Sequence, residues 1–184
     1  MKVFFDTEFT GLTSDPRLLS IGMVAEDGQE LYLELTDGWT DAMCTPWTRQ
    51  HVLPGLGKGE QVSSRLETGK RIGDWLASFL ALPTLLGDTD WDTILFSQLL
   101  EESKLPKGSF KVELLTFSSK EQAKSFQDAK KRHFQLHQVV PHHAVTDAHA
   151  FQAAWGSVFV QDRQSELAFN LVPFQPAEGA PETQ

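Results

Sequence analysis

Apolar residues along the chain form short runs first and longer periodic segments later. Runs at residues 3–5, 18–25 and 31–35 predict three consecutive strands. A polar break containing Asp27-Gly28 separates the last two runs, and Asp-Gly between apolar runs is typical of a hairpin. We therefore expect the domain to open with three neighbouring strands.

The second part of the chain alternates between strand and helix patterns. The predicted elements are a helix at 64–82 that ends before Pro83, a strand at 84–87, a helix around 94–100, a strand at 110–117, and helices at 119–136 and 144–160. Residues 37–59 predict a long, partly ordered connection. The order of elements predicts a single α/β domain over residues 1–174, and the Pro- and Glu-containing residues 175–184 predict a disordered tail.

Composition and charge narrow the possible functions. The chain has 184 residues, 40% of them hydrophobic, which is enough for a core. Its apolar runs are too short to cross a bilayer and it begins without a signal-peptide pattern.

The single Cys44 excludes an internal disulfide and a multi-cysteine zinc site, so we expect a cytoplasmic protein. The net charge of −9 argues against a nonspecific DNA-coating protein but is compatible with carboxylates that hold cations.

Acidic residues and histidines fall into three clusters. Asp6 and Glu8 are two apart on a predicted strand and so point to one face. Asp88, Asp90 and Asp92 follow an apolar run, and the pair His142-His143 precedes Asp147. Each cluster alone has an ordinary explanation, such as a polar strand end or a helix cap. Together, in this order, they provide what phosphodiester cleavage requires, namely carboxylates for two hard cations and a proton acceptor.

These clusters resemble the three motifs of the DEDDh branch of the DEDD (DnaQ-like) exonuclease superfamily. FFDTEFTGL resembles the first motif, GDTDWDTILF the second and HHAVTDAHAF the third. The segments AEDGQELY and WTRQHVLP are similar to a small bacterial and phage-associated group of 3'-5' exoribonucleases. The resemblance implies a ribonuclease H-like fold with a central mixed five-stranded β-sheet flanked by α-helices.

The resemblance also implies the roles of individual residues. Asp6, Glu8, Asp92 and Asp147 match the ligands of two Mg²⁺ or Mn²⁺ ions, and Asp92 is preferred to Asp88 or Asp90. His142 matches the general base, because four residues separate it from Asp147, whereas His143 leaves three. The implied reaction removes nucleoside 5'-monophosphates from the 3' end of single-stranded nucleic acid, with RNA favoured over DNA. A homodimer is a further expectation from the relatives.

Other residues are candidates for binding the substrate. Phe9 and Leu12 resemble positions that contact terminal bases, although core packing explains them equally well, and Thr10 between them is a further candidate for binding the substrate. The basic residues within 120–133 could guide a phosphate backbone or form a solvated helix face. Trp39, Trp47 and His51 could line the site or a subunit contact; these three lie in the connection at 37–59.

Two further function classes remain open at this point. A noncatalytic nucleic-acid-binding module of the same fold would not need an intact set of metal ligands. A hydrolase of nucleotides or short oligonucleotides would lose activity steeply as the substrate lengthens. The exonuclease hypothesis is preferred because all five motif residues are present in order.

Overall fold

The computed structural model describes residues 1–57, 61–104 and 108–160. The predicted tail at 175–184 and the end of the predicted domain, up to residue 174, lie outside the described residues. Within the described part, one mixed sheet carries helices on both of its faces. The predicted α/β class is therefore confirmed.

The sheet has six strands in the order β4-β3-β2-β1-β5-β6. Their bounds are β1 Lys2–Phe9, β2 Leu18–Ala25, β3 Glu30–Leu35, β4 Val62–Ser63, β5 Thr84–Gly87 and β6 Lys111–Leu114. Strands β1, β2 and β3 form an antiparallel meander, whereas β1–β5, β5–β6 and β3–β4 pair in parallel. The sixth strand, not among the five expected, is the two-residue β4 at the edge beside β3.

Within residues 1–57, 61–104 and 108–160, five α-helices accompany the sheet: α1 Pro46–His51, α2 Arg65–Ala77, α3 Asp90–Ser103, α4 Lys120–His137 and α5 Ala144–Trp155. The predicted helix at 64–82 ends earlier, at Ala77, and Leu80 beyond it is fully exposed. Helix α5 ends at Trp155 and continues as a π-helical turn, Gly156–Val160. No helix in the described ranges is long and apolar enough to cross a membrane.

Strand β1 separates two apolar layers. Phe5 packs against Phe96 of α3 on one face, whereas Phe4 packs against Phe151 of α5 on the other. Side chains two apart on a strand share a face. Asp6 and Glu8 therefore point to the same side as Phe4, towards α4 and α5.

The first strand is longer than the pattern at residues 3–5 predicts. It continues through Asp6 and Glu8 because β2 pairs with it as far as Phe9. Its parallel neighbour β5 pairs only with the first half, from Lys2 to Phe5. The acidic half of β1 thus extends beyond β5, and the start of α3 lies beside it.

The connection at 37–59 contains more structure than the sequence pattern indicates. Two 3₁₀ turns, Asp41–Met43 and Leu53–Gly55, flank α1, and the Thr45 hydroxyl caps α1 by accepting from the Thr48 N–H. Cys44 and Val52 bury their side chains with Leu19 in a small core. This core fixes α1 beside the end of β1.

A glycine on β2 lets α5 approach the sheet closely. Gly22 pairs with Asp6 of β1, and the first residues of α5 lie directly over it. A Cβ at Gly22 would lie 2.1 Å from the Val145 nitrogen and 2.3 Å from the Ala144 carbonyl carbon. The missing side chain therefore allows the N-terminus of α5 to lie next to Asp6.

We expect Gly22→Ala to destabilise the fold by about 3 kcal/mol, at the upper end of overpacking effects, because the added methyl group meets backbone atoms. Urea unfolding measures the change. Gly156→Ala is the control, since its backbone is helical and a Cβ there meets nothing within 4 Å; its stability should stay equal or rise by up to about 1 kcal/mol. Equal stability of both variants would contradict the close docking of α5.

Candidate active site

A cavity of about 740 Å³ opens where β1 and β5 end. The structure brings all five residues of the predicted catalytic set to its wall: Asp6, Glu8, Asp92, His142 and Asp147. They come from β1, the first turn of α3, and the loop and first turn of α5. Ligand sites in sheets with parallel strands commonly lie at the carboxyl ends of the strands.

The carboxylates form two overlapping groups. In one group, oxygens of Asp6, Glu8 and Asp147 all lie within 4.8 Å of one another. In the other, oxygens of Asp6, Asp88 and Asp92 meet the same limit. Asp6 belongs to both groups and lies between them.

Asp92 is held in place by the cap of its own helix. The Thr89 hydroxyl accepts from the Asp92 N–H at 3.2 Å and donates to Asp92 Oδ2 at 2.5 Å. Both the N–H and the hydroxyl of Thr7 donate to Asp92 Oδ1, at 2.9 and 2.6 Å. Asp90, two positions earlier in the same first turn, is exposed. The structure thus distinguishes Asp92 from Asp90 by burial and by hydrogen bonding.

Asp147 organises the loop that precedes α5. Its Oδ2 accepts from the N–H groups of His142 and His143, at 2.7 and 3.0 Å. His142 has a φ of 73°, in the left-handed region that non-glycine residues rarely adopt. The two hydrogen bonds stabilise this strained backbone conformation, which directs the His142 side chain into the cavity.

The two adjacent histidines have different surroundings. His142 lines the cavity, and its ring contacts the edge of Trp47 with centroids 4.6 Å apart. The His143 ring stacks on Tyr32 of β3 with centroids 4.4 Å apart. Burial, followed by the nearby charges of His51 and Lys130, lowers the pKa of His142 despite the opposing effect of Asp147. The imidazole is therefore neutral at neutral pH and able to accept a proton.

Burial and mutual repulsion raise the pKa values of the acidic cluster. Burial raises the pKa of Glu8 to about 8, with further increases from Asp147 and Asp92. The pKa of Asp6 is also raised well above its ordinary value, first by burial and then by its acidic neighbours. Burial raises the pKa of Asp92 to about 6, although hydrogen bonds from Thr7 and Thr89 oppose the rise. Such a concentration of negative charge favours a bound cation.

Asp88, whose role the sequence leaves open, forms a buried ion pair with Lys130 of α4. The Lys130 Nζ lies 2.5 Å from Asp88 Oδ2, and the two side chains are 14% and 5% exposed. Sequence reasoning did not single out Lys130 from the basic segment at 120–133. The other basic residues of that segment, Lys120, Lys124, Lys131 and Arg132, are exposed.

The apolar wall of the cavity contains two of the three residues that the sequence predicts to bind the substrate. Phe9 is half-buried, with its ring centroid 6.2 Å from that of Trp91, and Leu12 is 73% exposed; both line the cavity. Thr10 is fully buried and its hydroxyl accepts from the Arg17 N–H. Thr10 therefore holds the turn after β1, and a contact between Thr10 and the substrate stays a prediction.

The aromatic residues of the connection separate into two environments. Trp47 is 49% exposed and lines the cavity, and His51 stacks on it with centroids 4.8 Å apart. Trp39 instead packs against the core and donates its indole N–H to the Leu35 carbonyl at 2.8 Å. Trp47, from the connection, and Trp91, from the second motif, thus extend the apolar wall.

The donor set fits hard divalent cations. Every candidate ligand in the two groups is a carboxylate oxygen, the type that Mg²⁺ and Mn²⁺ prefer. Asp6 is common to both groups and would therefore be a ligand of an ion held by either group. Burial and then the acidic neighbours raise the pKa values of Asp6 and Glu8, and the charge of Lys130 offsets part of this rise at Glu8.

Comparison with known proteins gives a local sequence match and a global structural one. No family model matches the chain. A protein named 3'-5' exoribonuclease from Mycobacterium tuberculosis, in strains CDC 1551 and H37Rv, is 45% identical over 56 residues. This match covers 30% of the chain and 33% of the relative, so the chain spans about a third of the curated relative.

Solved structures match over nearly the whole chain at low identity. Pop2p of S. pombe, in its Mg²⁺- and Mn²⁺-bound form, has a TM-score of 0.59 at 16% identity and covers 90% of this chain and 84% of its own. Exonuclease I has a TM-score of 0.58 at 11% identity, covering 92% and 43%. The zinc-bound complex of E. coli exonuclease I with single-stranded DNA has the same TM-score at 13% identity, covering 92% and 42%.

These likenesses agree with the observed fold. The low-identity structures establish the ribonuclease H-like fold. The 56-residue match adds a sequence similarity to a protein named 3'-5' exoribonuclease. Together, the shared fold and the local sequence match support a relationship to the DnaQ-like superfamily of 3'-5' exonucleases.

Proposed function

We propose that the protein is a divalent-metal-dependent 3'-5' exonuclease that hydrolyses single-stranded nucleic acid, with RNA preferred, to nucleoside 5'-monophosphates. One observation carries the proposal. Two sets of carboxylates that share Asp6 line the same cavity as the neutral imidazole of His142. This is the set of groups that metal-assisted phosphodiester hydrolysis requires.

Each residue of the set has a proposed role. Asp6, Glu8 and Asp147 would hold one Mg²⁺ or Mn²⁺ ion, and Asp6 with Asp92 would hold a second, either directly or through water. When bound, the ions stabilise the charge that develops on the phosphate and the leaving 3' oxygen. His142 accepts the proton of the attacking water. Its neutral state and its place on the cavity wall support that role.

The remaining wall suits a terminal nucleotide. Phe9, Leu12, Trp47 and Trp91 provide apolar surface beside the acids, and aromatic faces bind bases with little sequence preference. A cavity of about 740 Å³ is in the size range of small-ligand sites. We propose that the 3'-terminal base lies against this wall while its phosphate faces the carboxylates.

The RNA preference is supported by the local similarity to a protein named exoribonuclease. The structural neighbour solved with single-stranded DNA makes DNA the natural comparison substrate. A cytoplasmic location and a homodimer stay predictions from the sequence.

A denaturing-gel time course with 5'-labelled single-stranded RNA and DNA of one sequence tests the activity. We expect a ladder that shortens from the 3' end in Mg²⁺ or Mn²⁺, faster for RNA, and no cleavage in chelator. Binding without cleavage under every condition would indicate a noncatalytic module. Cleavage confined to nucleotides or short oligonucleotides would indicate the other hydrolase class.

Two acid substitutions in the same assay, with one matched control, test the assignment of ligands. We expect Asp6→Asn and Asp92→Asn to abolish cleavage, and Asp6→Asn also to remove manganese binding measured by calorimetry, because ionised oxygen ligands are lost. Asp90→Asn, which alters an exposed acid of the same helical turn, should retain both properties. Loss of activity in Asp90→Asn with retention in Asp92→Asn would reverse the assignment.

Separate substitution of the adjacent histidines tests the general base. His142→Ala should lower kcat by about 10²- to 10⁴-fold with manganese binding largely retained, since a positioned base contributes that much. His143→Ala should have a much smaller effect on kcat, because its ring stacks on Tyr32 away from the cavity. A larger kcat loss in His143→Ala would assign the base to that residue.

The raised carboxyl pKa values predict how stability depends on pH. In metal-free protein, Glu8 keeps its proton up to a pKa of about 8, whereas the unfolded chain releases it near 4.5. Unfolding between these values releases protons, so stability should fall as pH rises, by up to about 1.4 kcal/mol per pH unit for each proton.

Manganese should reverse this trend. It binds the deprotonated carboxylates of the folded state, so its stabilising effect should grow from pH 5.5 to pH 8. Urea unfolding in chelator and in Mn²⁺ at both pH values measures the two slopes. Glu8→Gln is the control and should have a shallower metal-free slope; the same slope in wild type and Glu8→Gln would contradict the electrostatic account.

A further inference from the structure

The ammonium group of Lys130 has a position that the proposed metal-binding set does not explain. Helix α4 carries it to the wall of the cavity, where its charge acts on Asp6, Glu8 and Asp147. It donates to Asp88 Oδ2 at 2.5 Å. An ammonium has three donors, and the Asp88 bond uses one of them. The other donors are available to a ligand in the cavity.

A role in stability alone accounts poorly for this pair. Bringing two charges out of water costs free energy that a buried ion pair often fails to recover, so such pairs are weak evidence for stability. Asp88 Oδ1 is buried without a hydrogen-bond partner in the described part of the chain. The pair thus leaves a polar atom unsatisfied, which an apolar pair of similar volume would avoid.

The neighbouring basic residues provide an internal comparison. Lys131 follows Lys130 on α4 but is exposed, as is Lys124. Lys130 is 14% exposed and its partner Asp88 is 5% exposed. Of the lysines on this helix, Lys130 is therefore the one fixed beside the acids on the wall of the cavity.

We propose that Lys130 binds a nonbridging oxygen of the phosphate next to the 3'-terminal nucleoside, and that Asp88 positions the ammonium for this contact. The inference rests on the proposed function, because it assigns a phosphate to that cavity. The phosphate enters a site already crowded with carboxylates, and a fixed ammonium offsets part of the repulsion. Asp88 thus acts as a positioning residue through Lys130.

Adenosine 5'-monophosphate, a product of the proposed reaction, is the binding probe. Calorimetry in Mn²⁺ should show that Lys130→Met weakens its binding by about 10- to 100-fold, the size of a lost charge-assisted hydrogen bond. Lys131→Met should bind the nucleotide like the wild type, because Lys131 is exposed. Asp88→Asn should give an intermediate loss, since the ammonium remains but is no longer held.

A double variant covers the case in which Lys130→Met fails to fold. Lys130→Met leaves Asp88 buried without its counter-charge, which is destabilising, whereas Lys130→Met with Asp88→Asn removes both charges. The double variant should fold and still show the 10- to 100-fold loss. Thermal unfolding in chelator verifies the folding of each variant.

The outcomes separate this inference from the proposed function. Wild-type affinity for the nucleotide in folded Lys130→Met, or in the double variant, would overturn the inference while leaving a nuclease intact. If Lys130→Met bound manganese more tightly and the nucleotide with unchanged affinity, Lys130 would be a counter-ion of the acids only. That result would also overturn the inference. Undetectable binding of the nucleotide by the wild type would do the same. Failure of the wild type to cleave RNA or DNA would instead contradict the proposed function.

Discussion

The candidate site depends on the close approach of α5 to the sheet at Gly22. Gly22 pairs with Asp6, and the first residues of α5 occupy the space that a side chain at Gly22 would fill. This contact brings Asp147 within reach of Asp6 and Glu8. It also places the positive end of the α5 dipole beside buried acids, which favours their ionised form. The backbone contact at Gly22 thus determines both how α5 packs on the sheet and how close its Asp147 lies to the acids of β1.

The unequal lengths of neighbouring strands complete the arrangement. Because β5 ends opposite the middle of β1, the first turn of α3 can lie beside the acidic half of that strand. The Thr89 cap and the Thr7 donors then orient Asp92. Asp6 consequently lies between the carboxylates of Glu8 and Asp147 and those of Asp88 and Asp92.

The charges of the site are balanced unevenly. Asp92 and Asp147 accept hydrogen bonds from neighbouring N–H or hydroxyl groups, and Asp88 is paired with Lys130. Asp6 and Glu8 have the least compensation and the strongly raised pKa values. The metal-free fold therefore carries an electrostatic cost at these two residues. Under the proposed function a bound divalent cation would relieve this cost, so that binding of the cation and stability of the fold would be coupled.

The sequence by itself determined the α/β class, most of the helices and strands, and the three motifs. Local signals suffice for these features, because strand and helix periodicities and acid spacing depend on near neighbours. Even there, the lone apolar run at residues 3–5 underestimated β1, since pairing with β2 extends that strand to Phe9. The exposed Leu80 likewise shows that periodicity continued past the end of α2.

Only the tertiary structure decided which members of each cluster face the cavity. His142 and His143 are adjacent in sequence, yet a positive φ at His142 directs one ring to the cavity while the other stacks on Tyr32. Lys130 differs from Lys131 by its orientation on α4 relative to Asp88, a residue 42 positions earlier in the chain. Such differences arise from packing between distant segments, and a local pattern of residue types carries no information about them.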